Sequence, residues 1–388
     1  MTGRCVAFTG GGTGGHIYPG LAVAAELRKS FEGRIVWLGS KKDSDRNAVE
    51  AEGIEYVALP SGKLRREFSP SNVADAFRVL SGYFAARRIL RELRPLLVFS
   101  KGGYVSVPPC RAANDLGIPV FTHESDLSPG LATRLNAARA EKILVAWEET
   151  RGAFAPSLRD RVEVVGNPMR AAILGGDAAR GRALLGVEAG MPVVLAMGGS
   201  QGALQVNRLV EGALPSLRGR AFVVHQTGAA AGAAGAAGAG EAGGAGGAGG
   251  AGPAAAMNRG AGGYSRLAFI RGELPDIMAA ADIVVTRAGA GALQEAAALA
   301  KPLILVPLAG SGTRGDQVDN ARHFEGKGAA KVLLGDDATP MALASAILTW
   351  LDAPELGRAA GKAAAALVRT DSAALIARLI SQRIGAQA

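Results

Sequence analysis

Two glycine-rich turns, one near the start of each half, constrain this chain more than any other feature. Gly10-Gly11-Gly12-Thr13-Gly14-Gly15-His16 follows the apolar run Cys5–Thr9, and Gly198-Gly199-Ser200-Gln201-Gly202-Ala203 follows the apolar run Val193–Met197. A β-type run that turns on glycine into a helix aims backbone N–H groups and the positive helix end at one spot. That spot suits a phosphate or pyrophosphate. Glycine lets the backbone turn sharply and come close to the anion. Two such turns, on two βα halves, point to two anionic groups brought together in a cleft.

The rest of the chain fits that plan. With 388 residues, 48% of them apolar, it exceeds one ordinary core, so two domains are expected. Short apolar runs flanked by Gly or Pro lie at 5–9, 35–38, 96–100, 120–123, 143–146 and 162–165, and helical periodicity at 21–29, 74–92 and 131–138. Gly166-Asn167-Pro168 then reads as a linker. The second half repeats the scheme with runs at 193–197, 222–225, 267–270, 283–286, 303–306 and 331–334. Short strands alternating with helices predict an α/β fold of two doubly wound parallel sheets, with ligands at the carboxyl ends of the strands. The expected division is 1–168, 169–360 and a C-terminal helix at 361–388 that packs back on the first domain. The Gly/Ala tract at 229–256 buries too little side chain to offset ordering and is expected to be disordered.

A net charge of +9 fits anionic partners such as nucleotide phosphates, nucleic acid or anionic lipid. Aromatic residues at 5% leave little surface for stacking bases, so nucleic acid is not expected. Two cysteines, Cys5 and Cys110, make no disulfide framework and fit a reducing compartment. No signal peptide is expected before Gly10, and no stretch reads as a membrane span. Phe77, Leu80, Tyr83 and Phe84 fall near one another at helical spacing, flanked by Arg78, Arg87, Arg88, Arg91 and Arg94. That pattern fits either an anionic membrane surface or an ordinary packed helix.

Several residues at strand ends are candidates for chemistry. His16 lies where a helix N-terminus would disfavour the imidazolium, leaving a neutral ring able to take a proton; it serves as a general base or only positions a phosphate. In His123-Glu124-Ser125-Asp126, Glu124 or Asp126 could accept a proton, hold His16 or bond sugar hydroxyls, while Ser125, Asp126 or Ser128 could cap the next helix. Glu295, about two turns into a helix after Thr286-Arg287-Ala288-Gly289, is either a ribose acceptor or a solvated helix residue. The polar stretch 307–320, with Ser311, Thr313, Arg314, Asp316, Gln317 and Asn320, reads as a loop. Gly10 to Gly15 also satisfies G-x-G-x-x-G, but the second run ends in Gly39-Ser40-Lys41-Lys42 with no acid for a ribose, which weighs against a nicotinamide enzyme. Asp43-Ser44-Asp45, among Lys41, Lys42 and Arg46, reads as a surface loop and not a metal site, and no His/Cys cluster indicates zinc.

The ordered set GGGTGGHIYPG, SKGGYVSVPP, HESD with PGL, GNPMR, GGSQGA, HQTG and RAGAGALQE, running from about Thr9 to Ala330, resembles the MurG family of UDP-N-acetylglucosamine transferases. The resemblance implies a GT-B fold and an inverting enzyme. Such an enzyme moves N-acetylglucosamine from UDP-N-acetylglucosamine to the 4-hydroxyl of lipid-linked N-acetylmuramoyl-pentapeptide, peripherally at the cytoplasmic face of the inner membrane, with no cofactor or metal. It further implies that Ser200 meets the donor phosphates, Ile270 the uracil, Glu295 the ribose and Gln317 the sugar hydroxyls. Arg170 lies on the donor side, and Thr13, Gly14, Gly15, Asp126 and Ala290 are also contacts. The turn at Thr13 to Gly15 faces the acceptor pyrophosphate and transferring sugar; His16 is the candidate base and Glu124 the next. Asp126 stands where the family commonly has Asn, Gly291-Ala292 replaces a larger pair, and Asp316-Gln317 replaces two glutamines. The alternatives are another GT-B UDP-sugar transferase, a UDP-N-acetylglucosamine epimerase, and a non-catalytic UDP-sugar-binding protein. UDP release that requires lipid acceptor separates transferase from epimerase, and binding without turnover marks the third.

Overall fold

The computed structural model describes residues 4–62, 71–198, 204–228, 259–260, 263–270, 272–310 and 315–386. The chain forms two compact units: Met1–Arg170 with Arg369–Ala388, and Ala171–Val368.

The first unit runs β1 (Cys5–Thr9), α1 (Gly14–Leu27), β2 (Arg34–Gly39), α2 (Asp43–Glu50), β3 (Glu55–Ala58), α3 (Ser71–Leu93), β4 (Leu97–Ser100), α4 (Val107–Asp115), β5 (Val120–Glu124), α5 (Leu131–Ala137), β6 (Lys142–Val145) and β7 (Val162–Val164). Its strands order as β3-β2-β1-β4-β5-β6-β7, all parallel. The order reverses between β1 and β4, so their carboxyl ends flank a switch point where doubly wound sheets bind ligands. β1 is buried throughout because helices cover both faces. Phe8, Trp37 and Phe99 pack on one face with α1, while Ala86 and Leu90 of α3 and Ala112 and Ala113 of α4 fill the other.

The second unit runs α6 (Ala171–Leu174), α7 (Ala178–Leu185), β8 (Val193–Met197), α8 (Leu204–Leu217), β9 (Phe222–Gln226), β10 (Arg259–Gly260), β11 (Tyr264–Leu267), α9 (Leu274–Ala280), β12 (Ile283–Thr286), α10 (Ala290–Ala298), β13 (Leu303–Leu305), α11 (Asp316–Gly326), β14 (Lys331–Val332), α12 (Pro340–Asp352) and α13 (Pro354–Leu367). Its order is β10-β11-β9-β8-β12-β13-β14, parallel except for the antiparallel β10–β11 pair. The last helix, α14 (Ser372–Gly385), belongs to the first unit, where Ile376, Ile380 and Ile384 join the core beside α1. Each such isoleucine contributes about 1.5–3 kcal/mol by leaving water.

Some elements differ from the sequence reading. The strand expected at 267–270 lies at Tyr264–Leu267, paired with Val223 to Gln226. Residues 43–45 are not a surface loop: they open α2, and Asp45 is buried. From Asp316 the stretch expected as loop is helix α11, with Asn320 buried. The tract at 229–256 lies outside the described residues. No described helix is long and apolar enough to cross a membrane.

Candidate active site

The first glycine turn is clamped by buried polar groups. Gly12 has φ +89°, and a Cβ there would lie 2.8 Å from a ring carbon of Tyr104. Asp45 accepts from Gly12 N at 2.8 Å and from Ser40 Oγ at 2.8 Å, which is why this acidic residue leaves the surface. Lys42 Nζ donates to the Gly12 carbonyl at 2.9 Å, and Trp37 Nε1 donates to the Gly10 carbonyl at 3.0 Å. The turn is therefore held by hydrogen bonds through both polar groups of Gly12.

Thr13 is the extended N-cap residue of α1, and Gly14, Gly15 and His16 form its first turn. The Thr13 hydroxyl does not cap the helix; it lies 2.9 Å from His16 Nδ1. With the ring proton on Nδ1 and donated to Thr13, Nε2 presents the lone pair a base needs. The ring rests on Gly102 and Gly103, at φ +86° and +77°. A Cβ on Gly103 would lie 3.2 Å from His16 Nδ1, and one on Gly102 3.6 Å from the His123 carbonyl oxygen. A methyl group at Gly102 would thus meet both the His16 ring and the His123 carbonyl near the end of β5.

That loop is shaped by Glu124. Its Oε1 accepts from Ser125 N at 2.9 Å and Asp126 N at 3.1 Å, and its Oε2 accepts from Gly130 N at 3.0 Å. His123 is fully buried with Nε2 donating to the Gly166 carbonyl at 2.8 Å. Burial, then the Lys101 charge, push it well below the usual histidine range, so it stays neutral. Lys101 is 2% exposed and donates to Ser125 Oγ at 2.6 Å, which in turn donates to Asn167 Oδ1. Burial lowers its ammonium to about 8 against the upward pull of Glu124 and Asp126. Arg170 lies over the Tyr18 ring at 5.3 Å, in the first unit. Among the described residues no group of three or more His, Cys, Asp or Glu could hold a metal ion.

In the second unit, polar residues gather at the carboxyl ends of β9, β11 and β12. Gln226 Oε1 accepts from Ile270 N at 3.1 Å, which fixes the buried Ile270. Asn207 Nδ2 donates to the Thr227 carbonyl at 3.0 Å, so its Oδ1 faces His225 Nε2 as an acceptor, also at 3.0 Å. His225 Nε2 therefore carries the proton, and Nδ1 accepts from Tyr264 OH at 3.0 Å. Burial, then the Arg266 charge, lower His225 to about 4. Ala290 and Glu295 are buried on α10, with Glu295 in its second turn, so it is not a solvated residue. Asn320 Nδ2 ties α11 to the Ala288 carbonyl at 3.0 Å, and Gln317 Oε1 accepts from Leu308 N at 2.9 Å. Ser200, Ser311, Thr313 and Arg314 lie outside the described residues.

Sequence reasoning gave no role to Lys101, Asp45, Asn167 or Asn207. Lys101 had a signal, a cation at the carboxyl end of an apolar strand and before two glycines. The partners of the others come from distant strand ends, which no local pattern encodes.

Two units, each built on a doubly wound and mainly parallel sheet, define an α/β protein of the GT-B fold. The glycosyltransferase family 28 N-terminal domain matches residues 6–145, and its C-terminal domain residues 256–378. The UDP-N-acetylglucosamine–N-acetylmuramyl-(pentapeptide) pyrophosphoryl-undecaprenol N-acetylglucosamine transferase of Treponema denticola is 46% identical over 345 residues, 87% of this chain and 85% of the relative. The crystal structure of Acinetobacter baumannii MurG superposes with a TM-score of 0.69 at 22% identity, covering 98% of this chain and 99% of that one. UDP-GlcNAc 2-epimerase from Neisseria meningitidis, bound to UDP-GlcNAc, shares the fold with a TM-score of 0.65 at 13% identity, over 98% and 99% of the two chains. The chain belongs to the family of UDP-N-acetylglucosamine–N-acetylmuramyl-(pentapeptide) pyrophosphoryl-undecaprenol N-acetylglucosamine transferases, within glycosyltransferase family 28.

Proposed function

We propose that the chain transfers N-acetylglucosamine from UDP-N-acetylglucosamine to the 4-hydroxyl of lipid-pyrophosphoryl N-acetylmuramoyl-pentapeptide, with inversion, in peptidoglycan synthesis. The observation that carries the residue assignment is His16: it sits in the first turn of α1 with Nδ1 against Thr13 and its ring on Gly102-Gly103. Nε2 takes the proton of the acceptor 4-hydroxyl. The oxygen attacks the anomeric carbon as the bond from that carbon to the UDP phosphate breaks, and UDP leaves with the electron pair. Helix N-terminal N–H groups stabilise the negative charge that develops on the leaving phosphate, with no metal required. Thr13, Gly14 and Gly15 meet the acceptor pyrophosphate and the moving sugar. Ser200 and Arg170 meet the donor phosphates, Ile270 and Ala290 the nucleoside, Glu295 the ribose, and Gln317 and Asp126 the sugar. Glu124, with both oxygens engaged by backbone N–H groups, shapes the loop that carries Asp126.

The acceptor is a lipid, and the chain works as a peripheral protein at the cytoplasmic face of the inner membrane. Support comes from α3, where Phe77, Leu80 and Phe84 are exposed among arginines. The test is transfer of labelled N-acetylglucosamine from its UDP donor to the lipid acceptor, with a no-acceptor control. Incorporation that requires acceptor, and falls about 10²–10⁴-fold in His16→Ala with UDP binding retained, is the expected result. Donor turnover without acceptor would instead indicate an epimerase.

A further inference from the structure

We infer that Lys101 is a positioning residue for the transfer, the buried counter-charge that holds the acidic loop Glu124-Ser125-Asp126 beside the first glycine turn. The inference rests on the transferase reading above. A buried ammonium persists in a fold only when it is hydrogen-bonded and faces negative charge. Lys101 meets both conditions: Nζ donates to Ser125 Oγ at 2.6 Å, Ser125 Oγ donates in turn to Asn167 Oδ1, and Ser125 stands between Glu124 and Asp126, whose negative charge acts on the ammonium. The three backbone N–H groups on Glu124 satisfy its lone pairs and set the loop's turn, but they carry no net charge. The Lys101 ammonium, bonded to the serine between the two carboxylates, brings positive charge to that loop from its buried side.

The backbone of the same residue belongs to the His16 support. Lys101 N donates to the Thr9 carbonyl at 2.8 Å, and its Cβ lies 3.3 Å from where a Cβ on Gly10 would stand. The next two residues, Gly102 and Gly103, form the surface under the His16 ring. One residue thus joins the end of β1, through its backbone, to the acidic loop and its Asn167 partner, through its side chain, next to the two glycines under the His16 ring. Without its charge, the negative charges of Glu124 and Asp126 are less compensated, and Ser125 Oγ, which still donates to Asn167 Oδ1, loses the ammonium that donates to it. The loop then moves toward water and takes the surface under His16 with it.

Charge and packing are separable by experiment. Lys101→Met keeps the length and volume of the side chain and removes the ammonium. Asp126→Asn in that background removes one of the two facing charges. Acceptor-dependent kcat and KM are measured for wild type, Lys101→Met, Asp126→Asn and the double variant. Thermal melts and UDP binding are followed in parallel. The expected result is a loss of about tenfold or more in kcat for Lys101→Met, at retained UDP affinity, and a double variant several-fold more active than Lys101→Met. Effects that simply multiply, with no regain in the double variant, would overturn the counter-charge role. Should Lys101→Met give no cooperative melt, Lys101→Gln paired with Asp126→Asn makes the same comparison. Wild type without acceptor-dependent incorporation would overturn the transferase reading and this inference together, whereas an active wild type with multiplicative variants overturns the inference alone.

Discussion

Gly103 has no room for a methyl group. Its φ of +77° is a conformation that L side chains avoid, and a Cβ would lie 2.8 Å from the Gly11 carbonyl oxygen and 3.2 Å from His16 Nδ1. Gly103→Ala must therefore push the first glycine turn and the His16 ring apart. A base displaced by a fraction of an ångström loses much of its effect, so kcat should drop at least tenfold while UDP affinity holds. Steady-state kinetics with calorimetric UDP titration checks this, and unchanged kcat would remove His16 from the chemistry. His225 sets a different kind of expectation. Folded, it titrates near 4; unfolded, near 6.5. Its folded value is depressed, so the unfolded chain binds more protons between these two values. Its contribution is therefore complete above about 6.5 and is lost as pH falls toward 4, amounting to about 3 kcal/mol. Urea unfolding from pH 7 to 4.5 should show this slope in wild type and a shallower one in His225→Gln. Parallel slopes would mean the imidazole is not held neutral between Asn207 and Tyr264.

At the scale of elements, α3 has two apolar faces. Ala86 and Leu90 enter the core, as an ordinary packed helix requires. Phe77, Leu80 and Phe84 are 69%, 52% and 59% exposed at spacings of three and four along the other side. Replacing all three with Ser should lower partition onto anionic vesicles at least tenfold without changing the melting temperature, because the lost contacts are with lipid and not with the core. Raised salt should weaken what binding remains, since each nearby arginine adds about 1 kcal/mol. Equal sedimentation of variant and wild type with vesicles would exclude this face. Elements such as β1, β8 and β12 were legible in the sequence because each is a short apolar run closed by Gly or a polar turn. β3 was not, since Glu55-Tyr56-Val57-Ala58 sits near the sheet edge with a half-polar pattern. α2 was not, since its eight residues bury only Asp45 and Val49, and a charged run reads as a solvated loop. The 267–270 strand shifted because Leu267-Ala268-Phe269-Ile270 is the more apolar stretch, whereas pairing with β9 selects Tyr264–Leu267 and leaves Ile270 N to the Gln226 side chain. The same limit applies to the site. The places of His16 in the first turn of α1 and of Glu295 in the second turn of α10 were readable from their neighbours, while the setting of Lys101 comes from Ser125 and Asn167, residues joined to it only by the fold.

At the scale of the whole molecule, the second unit is an insertion into the first. The chain leaves the first unit after Arg170 and re-enters it at Arg369. The departing and returning segments touch inside the first unit: Gly166, at φ +77°, has no space for a Cβ, which would lie 2.9 Å from Arg369 Cβ. His123 holds the Gly166 carbonyl from one side, and Ser372 Oγ bonds the Arg369 carbonyl on the other. What returns is needed, because α14 supplies Ile376, Ile380 and Ile384 to the core that β1, β2 and α1 share. At about 1.5–3 kcal/mol each, these three side chains alone approach the net stability of a typical domain, about 5–15 kcal/mol. It follows that residues 171–368 can be replaced by a short Gly/Ser linker, because the two ends are already close enough for a few residues to join. The spliced protein should unfold in one cooperative urea transition with near-ultraviolet circular dichroism from its buried aromatics, whereas residues 1–170 alone, with the α1 face uncovered, should not. If the 1–170 fragment proved as cooperative and as stable as the spliced protein, α14 would be dispensable to the first core. If neither folded, the first unit would depend on the inserted one for its stability.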